Sequence, residues 1–203
     1  MTQPSAPQRR RHARTRQAIL DAAQQIIAER GADALSMREL ADRIDYSPSG
    51  LYEYFRSKDE LVAALCDESF NALAARLDAA QNLPGASASE RVVAVGLAYL
   101  AFAAENPDRY RLMFNSRSPQ PVTLEQIGEQ PSFGVLVQVV RDGVAAGEFR
   151  TSPGYGVLEE AYQACALVHG QAMLGLAMFY GSPTDFAALN RRVLEEHTAG
   201  LRV

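Results

Sequence analysis

The sequence predicts an all-α fold, and three observations carry that prediction. Apolar residues recur at three- and four-residue steps along most of the 203-residue chain, as one face of a helix requires. Serine-led capping patterns stand immediately before several of these stretches. No two alternating apolar runs flank a tight turn as a hairpin would need. The breaks between stretches give about nine helices. With 47% hydrophobic and 22% charged residues, 14 Gly and 10 Pro, the composition excludes collagen-like, disulfide-stapled and disordered classes. The length suits one large domain, or a small one joined to a larger one. The two cysteines, Cys66 and Cys165, form no CxxC or Cys/His cluster, so neither a metal site nor a disulfide framework is expected. The polar, basic start through Arg16 lacks the apolar segment of a signal peptide, and the expected location is the reducing cytoplasm.

Residues 1–12 read as a flexible basic tail. A first helix is expected from near Arg14 to Arg30, with Ile19, Leu20, Ala23, Ile26 and Ile27 on one face. Gly31 follows, where a helix end uses a left-handed residue. Ser36 and Glu39 form a capping box for a short second helix with Met37, Leu40, Ala41 and Ile44 inward. Ser47 and Pro48 open a third, expected to run to Phe55, because proline at the first helical position loses no hydrogen bond. Ser57 and Glu60 cap a long fourth helix carrying Leu61, Leu65, Phe70, Leu73 and Leu77. After the Pro84–Gly85 loop, Ser87 and Glu90 cap a fifth, which Asn106–Pro107 ends. A short helix over Asp108–Phe114, an exposed connection over Asn115–Pro121 and a helix over Leu124–Ala146, bent at Pro131, come next. Val157–Tyr180 and Thr184–Gly200 complete the set. Ala161–Thr184 has no formal charge, but Gln163, His169, Gln171 and its glycines point to a buried core or interface helix rather than a membrane span.

Charge is divided unevenly. Five arginines (9, 10, 11, 14 and 16) and no acid precede Gln17, whereas ten basic residues face fifteen acidic ones from Leu61 onward. One end is therefore suited to a polyanion. Met37–Phe55 has the layout of a helix-turn-helix, in which one helix braces and the next offers small and polar residues to base edges in the major groove. Ser47, Ser49 and Gly50 allow close approach; Tyr52 and Tyr54 can bond phosphates or pack on thymine methyls. Lys58 joins a cation to a helix N-terminus, and Arg38 can clamp the flanking backbone. The plainer reading of the same residues is two capped helices of an ordinary bundle, with half-buried tyrosines.

Thr15–Leu65 resembles the DNA-binding domain of the TetR family of transcriptional regulators. The likeness is carried by Ile19–Ala23, Glu29–Gly31, Ser36–Ala41, Ser47–Phe55 and Ser57–Leu61, matching in order. It implies a three-helix reader over residues 13–60, with its motif at about 36–55, and a helical ligand-binding and dimerisation domain over 61–203. Tyr52, Tyr54 and Lys58 match the family's usual DNA contacts; Ser36, Arg38, Ser47, Ser49 and Gly50 match positions that touch backbone or bases. Arg9, Arg10 and Arg11 are expected to follow the backbone or enter a minor groove. Two positions depart from the pattern. Asp45 stands where glycine is usual, and Glu53 where an aromatic is common; Glu53 either accepts from a cytosine amino group or faces solvent.

The resemblance implies a homodimeric repressor, paired through its last two helices and released from a pseudo-palindromic operator by a small, largely apolar effector. An activator or co-regulator with the same head, or a helical protein binding a ligand or partner but not DNA, are the alternatives. Tyr99, Phe102, Pro107, Tyr110–Phe114 and Val168–Gly170 are similar to the effector domain of a subgroup named for a Trp-His-Gly signature, although Val168 replaces the tryptophan. Phe102, Met113, Phe114, Phe133, Tyr162, Cys165, His169, Met173 and Phe179 are candidates to line an effector cavity, and equally candidates for plain core. Catalysis and cofactors are not expected: no Glu-x-x-His pair, HExxH, GxSxG or phosphate loop is present.

Overall fold

The computed structural model describes residues 5–115, 121–179 and 182–203. Among these residues there are ten helices and no strand. They are α1 (Ala6–Arg30), α2 (Met37–Arg43), α3 (Pro48–Leu51), α4 (Lys58–Gln81), α5 (Ala88–Glu105), α6 (Pro107–Asn115), α7 (Leu124–Gly128), α8 (Pro131–Ala145), α9 (Val157–Ala177) and α10 (Phe186–Leu201). The chain divides into two units, Met1–Ser69 with Asp108–Arg117, and Phe70–Pro107 with Ser118–Val203. The division between Ser69 and Phe70 falls inside α4, and a segment from the middle of the sequence belongs to the first unit. No described helix is long and apolar enough to cross a membrane.

Four differences from the expected elements have local causes. Helix α1 begins at Ala6, not near Arg14, because Ser5 and Gln8 form a reciprocal capping box and Pro7 sits in the first turn. Most of the expected flexible tail is therefore helix. Helix α3 stops at Leu51, because the next amides turn back sharply: Glu53 N–H donates to Gly50 O and Tyr54 N–H to Leu51 O, a tighter spacing than an α-helix uses. Pro131 splits one expected helix into α7 and α8, which raises the number from nine to ten. Helix α9 ends at Ala177; Tyr180 and the core of the Asn115–Pro121 connection lie outside the described residues.

The first unit is built on one apolar cluster. Ile19, Leu20, Ala23, Ile26 and Ile27 of α1 meet Leu35, Leu40 and Ala41, then Leu51, Phe55, Leu61 and Leu65. Burying a leucine or isoleucine in this way stabilises by about 1.5–3 kcal/mol each before chain entropy is counted. Polar ties fix the register. Glu68 of α4 accepts from Gln17 at 3.0 Å and from Gln24 at 2.9 Å, both on α1. Glu29 pairs with Arg43 and Glu39 with Arg30, tying α1 to α2. Arg109 Nε donates to the buried Ser69 hydroxyl at 2.7 Å, which fastens α6 to α4.

In the second unit α5 packs against α8, α9 and α10, and α8 packs on α9. Glycines set two of the approaches. A Cβ on Gly96 of α5 would lie 2.8 Å from Leu194 of α10, and one on Gly143 of α8 would strike the Phe149 ring and Ala88. The buried Glu160 accepts from the Ser152 amide and ties the loop before α9 to that helix.

Candidate nucleic-acid interface

Helices α2 and α3 are held so that one side of each meets the core and the other meets solvent. Leu40, Ala41 and Leu51 are buried, whereas Ser36, Arg38, Ser47, Ser49 and Lys58 are exposed. Ser36 accepts from the Glu39 amide at 3.1 Å and Ser47 from the Gly50 amide at 3.1 Å, so both serines cap their helices and still face outward. The Ser47 and Ser49 hydroxyls are 3.1 Å apart, and either can donate to the other. Tyr52 is 50% exposed. Glu53 also faces solvent.

The turn between α2 and α3 is made by Asp45, with φ 53, where the family's glycine is missing. It directs Tyr46 onto α3. The Tyr46 ring comes within 2.9 Å of where a Cβ on Gly50 would stand, so the smallness of Gly50 serves this packing.

Two tyrosines and the N-terminal helix form an aromatic cluster that the sequence did not reveal. Tyr46 meets Tyr54 edge-on, with centroids 6.3 Å apart, and the His12 ring stacks on Tyr54 at 4.5 Å. The Tyr46 hydroxyl is held above its ordinary pKa by a hydrogen bond with Tyr54, while the nearby Arg11 opposes the shift. Next along α1, the Arg16 guanidinium sits 4.9 Å over the Phe55 ring. Arg9, Arg10 and Arg11 are all exposed, on helix rather than on a loose tail. Of the expected contact residues, Gly50 and Tyr54 are half-buried and the others exposed. The signal available in the sequence was Ser5-x-x-Gln8, which starts α1 early enough to bring His12 to Tyr54.

The effector candidates fall in both units. Phe102 and Phe133 are buried in the second, Cys165, His169 and Met173 are half-buried there, and Tyr162 is exposed. Met113 and Phe114 belong to the first unit, Met113 buried and Phe114 exposed. Tyr99 OH and His169 Nδ1 are 3.2 Å apart. Burial holds His169 below the usual histidine range and pushes the Cys165 thiol up to about 11, so that sulfur is not a nucleophile at neutral pH. Among the described residues no group of His, Cys, Asp and Glu is placed to hold a metal.

A capped, outward-facing helix pair of this kind, followed by a helical unit, defines a helix-turn-helix protein. Sequence signatures agree. That of the bacterial regulatory proteins of the tetR family matches residues 19–65, and that of the tetracyclin repressor-like C-terminal domain matches residues 92–197. The chain belongs to the TetR family, a family of regulators and not of enzymes. It is similar to an HTH-type transcriptional regulator of Mycobacterium tuberculosis, 30% identical over 133 residues that cover 64% of this chain and 55% of that one. It thus spans about half the length of the curated relatives it matches. A solved protein of unknown function from Rhodococcus sp. RHA1 is 26% identical with TM-score 0.79, covering 93% of this chain and 95% of that chain. FadR of Bacillus subtilis, solved with stearoyl-CoA, shares the fold at 20% identity and TM-score 0.71, covering 92% and 99%.

Proposed function

We propose that the protein is a transcriptional repressor that binds duplex DNA as a homodimer and leaves it when a small, largely apolar molecule occupies the second unit. The observation that carries this reading is the array of Ser36, Arg38, Ser47, Ser49, Tyr52 and Lys58, all exposed around α2 and α3 on a rigid apolar base. In the proposal α3 and the turn after it enter one major groove per subunit, and Tyr52 and Ser49 meet base edges. Lys58, Arg38 and the arginines of α1 neutralise phosphates and supply most of the affinity. A two-fold axis pairs each reader with a half-site, which calls for a pseudo-palindromic operator.

Exposed Leu174 and Met178 on and just beyond α9, with Leu189 on α10, support pairing through the last two helices. The effector role rests on Tyr99 and His169, a polar pair in a unit that also buries the apolar Phe102 and Phe133. FadR's acyl-CoA is in keeping with an apolar ligand. The Tyr99–Phe114 and Val168–Gly170 likenesses support the Trp-His-Gly subgroup. A complete switch requires the effector to favour the non-binding state by about 5 kcal/mol. Selection of bound fragments from genomic DNA, followed by a reporter on the recovered promoter, tests the proposal. Enriched inverted repeats and derepression on deleting the gene are expected; no enrichment, or loss of expression on deletion, overturns it.

A further inference from the structure

The first three turns of α1 project beyond the apolar core, whose first α1 residue is Ile19. A free helical extension of this composition would fray. It carries Arg9, Arg10, Arg11 and Arg14 near the positive end of the helix dipole with no acid in its first turn, and Arg10 and Arg14 are like charges one turn apart. The extension is instead anchored at two points. His12 stacks on Tyr54 and Arg16 lies over Phe55, both immediately after α3. At 100° per residue, His12 and Arg16 share the core-facing side of α1, and Arg10, Arg11 and Arg14 form a ridge turned away from it. At the edge of that ridge Arg11 is close enough to Tyr46 to act on its hydroxyl, and Tyr46 packs against α3. The extension is thus held beside the segment that carries Ser47, Ser49 and Tyr52 by the His12 and Arg16 contacts.

We infer that this extension is a rigid phosphate-binding arm, docked on the reading segment by the stack of His12 on Tyr54, and that it grips the backbone of the same duplex whose bases α3 reads. The inference rests on the DNA-binding reading above and adds His12 to it as a positioning residue that need not touch DNA. A loose basic tail would pay the entropy of ordering on each binding event; a docked arm has already lost it. Arrival of phosphate also relieves the repulsion between Arg10 and Arg14.

The test uses the full-length chain and a labelled duplex of about 40 base pairs, some four helical turns, carrying the sequence most enriched by genomic selection. The slope of log affinity against log salt is measured for the wild type, His12→Ala, His12→Phe and the Arg10→Ala/Arg14→Ala double variant, with melting curves for each. The double variant is expected to flatten the slope by about two per bound subunit. His12→Ala is expected to flatten it by about one or more and to weaken binding without lowering the melting midpoint, and His12→Phe, which keeps a flat ring on Tyr54, restores the wild-type slope. An unchanged slope in the double variant overturns the arm. His12→Phe behaving like His12→Ala, or His12→Ala like the wild type, overturns the docking. Wild-type protein that binds no duplex sinks the DNA-binding reading, and the arm with it.

Discussion

At the scale of single residues, Asp45 shows what the turn demands. With φ 53 it occupies the left-handed region, which costs most side chains energy but is tolerated by aspartate better than by β-branched residues. Asp45→Val should lower stability by about 1–2 kcal/mol, while Asp45→Gly should match or exceed the native melting temperature. A valine variant that melts like the native protein would show that the turn is not strained. Lys58 is exposed at the start of α4, and the proposed function has it meet a phosphate. Lys58→Ala should weaken binding to all duplex sequences alike and flatten the salt slope by about one unit per subunit. A slope equal to the native one removes Lys58 from the interface.

At the scale of elements, caps and glycines decided what the sequence disclosed. Helices with a serine cap, α2, α3 and α5, start where Ser36, Ser47 and Ser87 place them. The start of α1 was equally written, in Ser5 and Gln8, but the run of arginines after it has no apolar period and hid the helix. The end of α3 was not legible, because a tight 3-10-like spacing and an α-helix use the same residues in Leu51–Phe55. Contacts between distant segments, such as His12 with Tyr54 or Tyr99 with His169, leave no periodic trace and required coordinates. Gly143 is another such case: nothing local requires glycine in α8, yet its neighbours are the Phe149 ring and Ala88. Gly143→Ala should cost about 1–3 kcal/mol, or about 2–12 °C in melting temperature for a chain of this size, as read by calorimetry. An unshifted transition would mean that Phe149 moves aside freely.

At the scale of the whole molecule, two half-buried imidazoles link stability to pH. Burial lowers the pKa of His169, and burial lowers that of His197 against the opposing pull of Glu160. Both take up a proton more readily when the chain is unfolded. Stability is therefore greatest above the ordinary histidine value of about 6.5 and falls as the pH drops through it. The melting temperature should decline between pH 7 and pH 5, less steeply in His169→Gln than in the native protein; an identical decline in both excludes His169 as a source.

The exposed reader on its apolar base is the feature on which the functional account depends, and Tyr52 tests it most directly. Binding of the native chain and of Tyr52→Ala should be compared on the most enriched genomic duplex and on a scrambled duplex of equal length, at one salt concentration. The native protein is expected to prefer the enriched duplex by about 10³-fold or more. Tyr52→Ala should lose most of that preference while melting at the native temperature, since its ring is half exposed. A variant that keeps the full preference, or a native protein with none, contradicts the account.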